Sequence, residues 1–86
     1  MAKFTREQIR SAILDTLCAI APEIDPAGIE PGAPLREQVD LDSMDFLHVI
    51  IRLHETLGID IPESDYAQLA TLDSAVDYLA RRTGAG

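Results

Sequence analysis

Apolar residues recur at helical spacing in three stretches of the chain and lose that spacing between the first two. Ile9, Ile13, Leu17 and Ile20 lie three or four apart and define one buried face. Thr5 and Gln8 have the spacing of a capping box, and Phe4 with Ile9 that of a hydrophobic staple. Pro22 follows, and the residue before a proline is pushed out of helical geometry. This pattern predicts a first helix over about residues 5–20.

Residues 21–42 carry Pro22, Pro26, Pro31 and Pro34 together with Gly28 and Gly32, so no long helix passes through them. Ile24, Ile29, Leu35, Val39 and Leu41 are interspersed, as in a loop pinned to a core. A loop this long in so short a chain is often functional, or else a plain crossover between helices.

Periodicity resumes at residues 43–57, with Gly58 placed to end the helix. Phe46, Leu47, Val49, Ile50, Ile51, Leu53 and Leu57 cover more than half its circumference. A surface helix needs only a narrower stripe. Either this helix is central, or it also meets something apolar outside the core. Met44 and Ile51, at the edge of the polar strip, suit that second role. A short helix over 63–69 follows Pro62, and Thr71 caps a last helix over 72–82, with Leu72, Ala75, Val76 and Leu79 inward. Asp73 in its first turn, and Arg81 and Arg82 in its last, suit the helix dipole. Thr83 and the residues after it are expected to fray. The sum is an all-α fold, a small bundle of three main helices plus one short helix, with a long loop between the first two. Residues 1–86 read as one domain.

Charge changes the picture. Fifteen acids against seven Lys and Arg give a formal net charge of −8, which disfavours nucleic acid and anionic membrane and favours partners with a basic patch. Between Glu37 and Asp77 the only base is Arg52. One cysteine, Cys18, excludes an internal disulfide and suits a reducing compartment; it sits about 140° from the centre of its helix's apolar face, partly exposed. No stretch is apolar enough to insert in a membrane and the N-terminal residues lack a signal peptide's pattern, so the expected location is cytoplasmic.

Catalytic constellations fail quickly. Ser43 lacks a Gly-x-Ser-x-Gly elbow, and His48, five residues on, points elsewhere on the helix. His48, His54 and Cys18 share no metal-ligand spacing, and His54, within the apolar arc, reads as a satisfied, partly buried histidine. Asp40-Leu41-Asp42 opens like a calcium loop, but Met44 and Asp45 break the pattern. What remains is Asp40 to Asp45. At its plainest this is a helix cap, with Asp42 or Ser43 accepting a backbone N–H and Asp45 at the positive end of the dipole.

Asp42-Ser43-Met44-Asp45 resembles the Asp-Ser-Leu/Met signature of acyl carrier proteins, and Gly58-Ile59-Asp60-Ile61-Pro62 and Thr71-Leu72…Val76…Leu79 continue the likeness. The resemblance implies a non-catalytic carrier with 4'-phosphopantetheine attached to Ser43, and Asp42 contributing to transferase recognition and the cap. It implies as partners a phosphopantetheinyl transferase and acyl-loading and acyl-transfer enzymes of fatty-acid, lipid or polyketide-type synthesis, with basic docking patches. Docking would use Met44, Asp45, His48, Ile51, Arg52 and Glu55, on a monomer. An acyl chain would tuck among Leu47, Ile50, Ile51, Ile61 and Tyr66, unless these only pack a core.

Three departures stand out. Asp40 occupies the position where the family commonly has Gly, and His48 and His54 stand where many fatty-acid carriers place acids. Arg52 adds a positive charge between them. The expectation is a specialised carrier with its own enzymes. The alternatives are a peptidyl or aminoacyl carrier, and a helical interaction domain that is never modified.

Overall fold

The computed structural model describes residues 4–84. Helix α1 runs Arg6–Ile20. Thr5 precedes it in extended geometry, and its hydroxyl accepts from the Gln8 N–H while Gln8 reaches back to the Thr5 N–H, so two otherwise orphaned donors are satisfied. Ile9, Ile13 and Leu17 are almost wholly buried, and Ile20 is partly so. Thr16 is buried as well; its hydroxyl donates to the Ala12 carbonyl at 2.7 Å, which removes the cost of an unpaired polar group.

The connection from α1 contains two helical pieces where the sequence pattern predicts only loop. A single 3-10 turn spans Pro26–Gly28, capped by Asp25, and a four-residue helix α2 spans Leu35–Gln38. Both are too short for periodicity to reveal. Ile29, Leu35, Val39 and Leu41 anchor the connection in the core. Gln38 folds it on itself, accepting from the Glu30 N–H and donating to the Glu30 and Ala33 carbonyls. The Leu35 N–H donates to the Ala70 carbonyl at 2.8 Å, and the Asp73 N–H to the Pro31 carbonyl at 3.0 Å. The loop is thereby tied to the start of the last helix, and its far end has a defined exit.

Helix α3 runs Ser43–Leu57. Gly58 ends it with φ +68°, a left-handed conformation that disfavours a side chain, and its N–H donates to the His54 carbonyl at 2.9 Å. A 3-10 helix over Glu63–Leu69 and then α4, Leu72–Thr83, complete the fold. Thr71 and Ser74 form the cap of α4. The helix runs one residue beyond the expected end: Thr83 is helical, its hydroxyl donating to the Leu79 carbonyl at 2.8 Å, and Gly84 caps it at φ +80°. Ala85 and Gly86 lie outside the described residues.

Helix α1 packs against both α3 and α4, and the 3-10 helix rests chiefly on α4. Val49, Ile50, Leu53 and Leu57 of α3 and Leu72, Ala75, Val76, Tyr78, Leu79 and Ala80 of α4 meet the α1 stripe in one apolar core. This is an all-α small helical bundle.

Candidate functional site: the entry to helix α3

Three consecutive residues divide the work at the entry to α3. Leu41 is buried and plugs the chain into the core. Asp42 is the cap: its Oδ1 accepts the Asp45 N–H at 2.8 Å while its carbonyl accepts the Phe46 N–H at 3.0 Å. Of the two capping candidates the geometry selects Asp42. Ser43, the first helical residue, is exposed, and among the described residues its hydroxyl has no hydrogen-bond partner. It is a free hydroxyl on a backbone held from both sides, at the end of the helix where the dipole and unspent N–H groups favour an anion.

Arg36, on α2, steadies this entry. Its Nε donates to the Leu41 carbonyl at 3.4 Å and its guanidinium lies 5.8 Å from the centre of the Phe46 ring, a cation–π distance. Sequence reasoning left Arg36 out, because ten residues separate it from Phe46 and no local pattern signals that they meet. Phe46 in turn meets Tyr66 edge to face, with ring centres 6.4 Å apart.

Beyond Ser43 the outer side of α3 is unusually apolar. Met44 is 59% exposed, Leu47 36% and Ile51 43%. Spacings of three and four align them in one stripe leading away from Ser43. His48, Arg52 and Glu55 are exposed beside it, and Asp45 is half-buried. His54 is further out than its place on the apolar arc suggests. Its ring is about half exposed, with Nδ1 2.5 Å from the Ile59 carbonyl and 3.6 Å from the Asp60 carboxylate. Cys18 is half-buried, its thiol directed to the Ile24 carbonyl at 3.9 Å.

On the adjacent side of α3 an open groove of about 500 Å³ is lined by Ile50, Ile51, Ile61, Pro62 and Tyr66, with His54, Asp60 and Arg82 at its polar edges. Four of the five residues expected to form an apolar pocket meet there. Leu47 is not among the lining residues: its position on the helix turns it toward the outer stripe. Inside the core, against Phe46 and Ile50, only about 10 Å³ is free, so a ligand chain cannot enter there without side chains moving.

A serine hydroxyl free of other duties, an acid capping the same turn and an anion-favouring helix end fit the attachment of a phosphodiester. The chain matches the family model "Phosphopantetheine attachment site" over residues 8–79. It is 32% identical over 74 residues to the acyl carrier protein of Rubrobacter xylanophilus, an alignment covering 86% of this chain and 90% of that one. It is 28% identical over 74 residues to acyl carrier protein 2, mitochondrial, of Arabidopsis thaliana, covering 83% of this chain and 59% of that longer protein. In three dimensions it superposes on an acyl carrier protein from Enterococcus faecalis with a TM-score of 0.71 at 20% identity, over 92% of this chain and 99% of the other. With the family model spanning most of its length, and a relative above 30% identity aligned nearly end to end, the chain belongs to the acyl carrier protein family, whose domain bears phosphopantetheine.

Proposed function

We propose that the chain carries acyl groups as thioesters on a phosphopantetheine arm joined to Ser43. The observation that carries this reading is the division of labour at the α3 entry: Asp42 takes the cap and leaves the Ser43 hydroxyl exposed and uncommitted. An interaction domain that used this serine only as a cap would have its hydroxyl bonded to a first-turn N–H.

The chain's own residues do limited chemistry. Ser43 supplies the acceptor oxygen and a phosphopantetheinyl transferase the base that removes its proton; the new O–P bond at Ser43 would replace the pyrophosphate bond of coenzyme A, with adenosine 3',5'-bisphosphate as the leaving group. The free N–H groups of the first turn favour the phosphodiester, and Asp42 keeps that turn in register. When bound, the arm contributes a thiol that holds acyl groups as thioesters. No residue of the chain acts as a catalyst; its task is presentation.

Partner enzymes of acyl loading and transfer would meet the stripe of Met44 and Ile51 and the flanking Asp45, His48, Arg52 and Glu55. Exposed charge of this kind governs encounter and register more than affinity, which suits a carrier that must leave. His48, where many fatty-acid carriers place an acid, and the positive Arg52 make this face less acidic than in the general fatty-acid carriers, which supports a specialised carrier with dedicated enzymes. The cargo's apolar chain would lie along the groove formed by Ile50, Ile51, Ile61 and Tyr66.

Intact mass is the test. After incubation with coenzyme A, magnesium and a permissive transferase, the chain is expected to gain one phosphopantetheine, and Ser43→Ala none. A Ser43→Ala protein that still gains mass would move the site elsewhere. No gain on the folded wild type with several transferases would favour the unmodified interaction domain.

A further inference from the structure

The wall of the groove opposite α3 is formed by the segment from Asp60 through the 3-10 helix; apart from the approach of His54 on α3 to the Asp60 carboxylate, its polar side-chain ties run to α4. Pro62, at the N-terminus of that 3-10 helix, gives no side-chain capping bond. One side chain on α4, Arg82, bonds the segment directly at Asp60 and reaches it again at Asp65 through Tyr78 of its own helix. Its Nη2 donates to the Asp60 carbonyl at 2.6 Å, and its Nη1 donates to the Tyr78 hydroxyl at 2.6 Å. The Tyr78 hydroxyl in turn donates to the Asp65 carboxylate at 2.6 Å, which also lies 3.6 Å from Arg82. The guanidinium lies 5.6 Å from the centre of the Tyr78 ring, and that ring is buried. The two tethered residues are the immediate neighbours of groove-lining residues: Asp60 precedes Ile61 and Asp65 precedes Tyr66. Arg82 itself lines the groove.

We infer that Arg82 is a positioning residue for the cargo: by clasping Asp60 and the Tyr78–Asp65 pair, it holds Ile61 and Tyr66 as the outer wall against which a long acyl chain lies. This rests on the carrier reading and on the groove as the place of the chain. A guanidinium suits the task because its planar fork meets two acceptors at once, whereas a lysine ammonium is a single point on a flexible stem. An arginine serving only to complete the helix dipole would need neither acceptor.

The test compares wild type, R82A, R82K and Y78F, the last keeping the buried ring while removing the shared hydroxyl. Thermal midpoints identify variants that fail to fold. Amide exchange of the unmodified chains is read first. R82A is expected to speed exchange over residues 60–69 by about five- to thirtyfold, the effect of losing one or two net hydrogen bonds, with α1 unchanged. Y78F moves the same way, and R82K recovers part of the protection. The chains are then loaded with acetyl and with octanoyl phosphopantetheine, and thioester hydrolysis is followed. R82A is expected to speed loss of octanoyl but not of acetyl, because only the longer chain reaches the wall. Unchanged exchange would overturn the clasp. Faster exchange with equal effects on the two thioesters would overturn its role toward cargo. Failure of the wild type to accept either group would overturn the carrier reading itself, and is visible beforehand as an unchanged mass.

Discussion

At the residue scale the decisive fact is that two neighbours with similar capping propensity have different jobs. Asp and Ser are both favoured caps, and nothing local to Asp42-Ser43 ranks them. The first bonded turn is closed by Asp42, whose carboxylate lies 2.8 Å from the Asp45 N–H. Replacement should therefore separate stability from function. Asp42→Ala is expected to cost about 0.5–2 kcal/mol in urea unfolding. Ser43→Ala, which removes an exposed hydroxyl without a partner, should stay within about 0.5 kcal/mol of wild type. Equal losses for the two would mean that Ser43 shares the cap. Tyr78 illustrates a similar dependence on surroundings. Burial pushes its hydroxyl above the ordinary value of 10.0, the hydrogen bond to Asp65 adds to this, and Arg82 opposes it. The neutral hydroxyl can then donate to Asp65 at any pH the chain meets in a cell.

At the element scale α3 serves two masters. Val49, Ile50, Leu53 and Leu57 face the core, while Met44, Leu47 and Ile51 face water. An apolar arc wider than one buried face requires has its explanation in this second, outward stripe. Substitutions on the two sides should therefore diverge. Leu53→Ala, at a site 1% exposed, is expected to lower stability by about 2–5 kcal/mol through lost burial and a residual cavity. Ile51→Ala should change stability much less, because part of the side chain is already in water, yet slow acyl transfer from a partner enzyme. Unfolding curves and transfer rates on the same samples check both; an Ile51→Ala chain with unaltered transfer would remove that residue from the docking face.

At the scale of the whole molecule the net charge of −8 and the local charge of the docking face differ in character. The excess of acids over the whole surface favours encounter with basic partners, but screening confines exposed charges to roughly 8–10 Å at physiological ionic strength, so a docked partner reads mainly the face it touches, where Arg52 is positive and His48 stands in place of an acid. A general fatty-acid elongating enzyme, with a basic docking patch, should consequently elongate on this carrier less efficiently than on its usual one. Replacing His48 and Arg52 together by Glu should narrow the gap. Equal kcat/KM for the two unaltered carriers would sink the idea of dedicated enzymes.

The amino-acid sequence alone determined the helical character of the fold, the stripe of Ile9, Ile13 and Leu17, the caps at Thr5 and Thr71, the end at Gly58 and the motif around Ser43. These are short-range properties: spacing along one helix, and side chains reaching N–H groups two or three residues away. The tertiary structure decided the rest. It made Asp42 rather than Ser43 the cap, in a chain whose preceding residue Leu41 is buried in the core and whose Leu41 carbonyl and Phe46 ring both meet Arg36 from α2. It turned Leu47 away from the groove and left His54 half in water. It also brought Arg82 to Asp60 across 22 residues of chain. On the helix alone that arginine reads only as a charge suited to the dipole. Such contacts depend on how three helices pack, and no pattern within one of them encodes where another will lie.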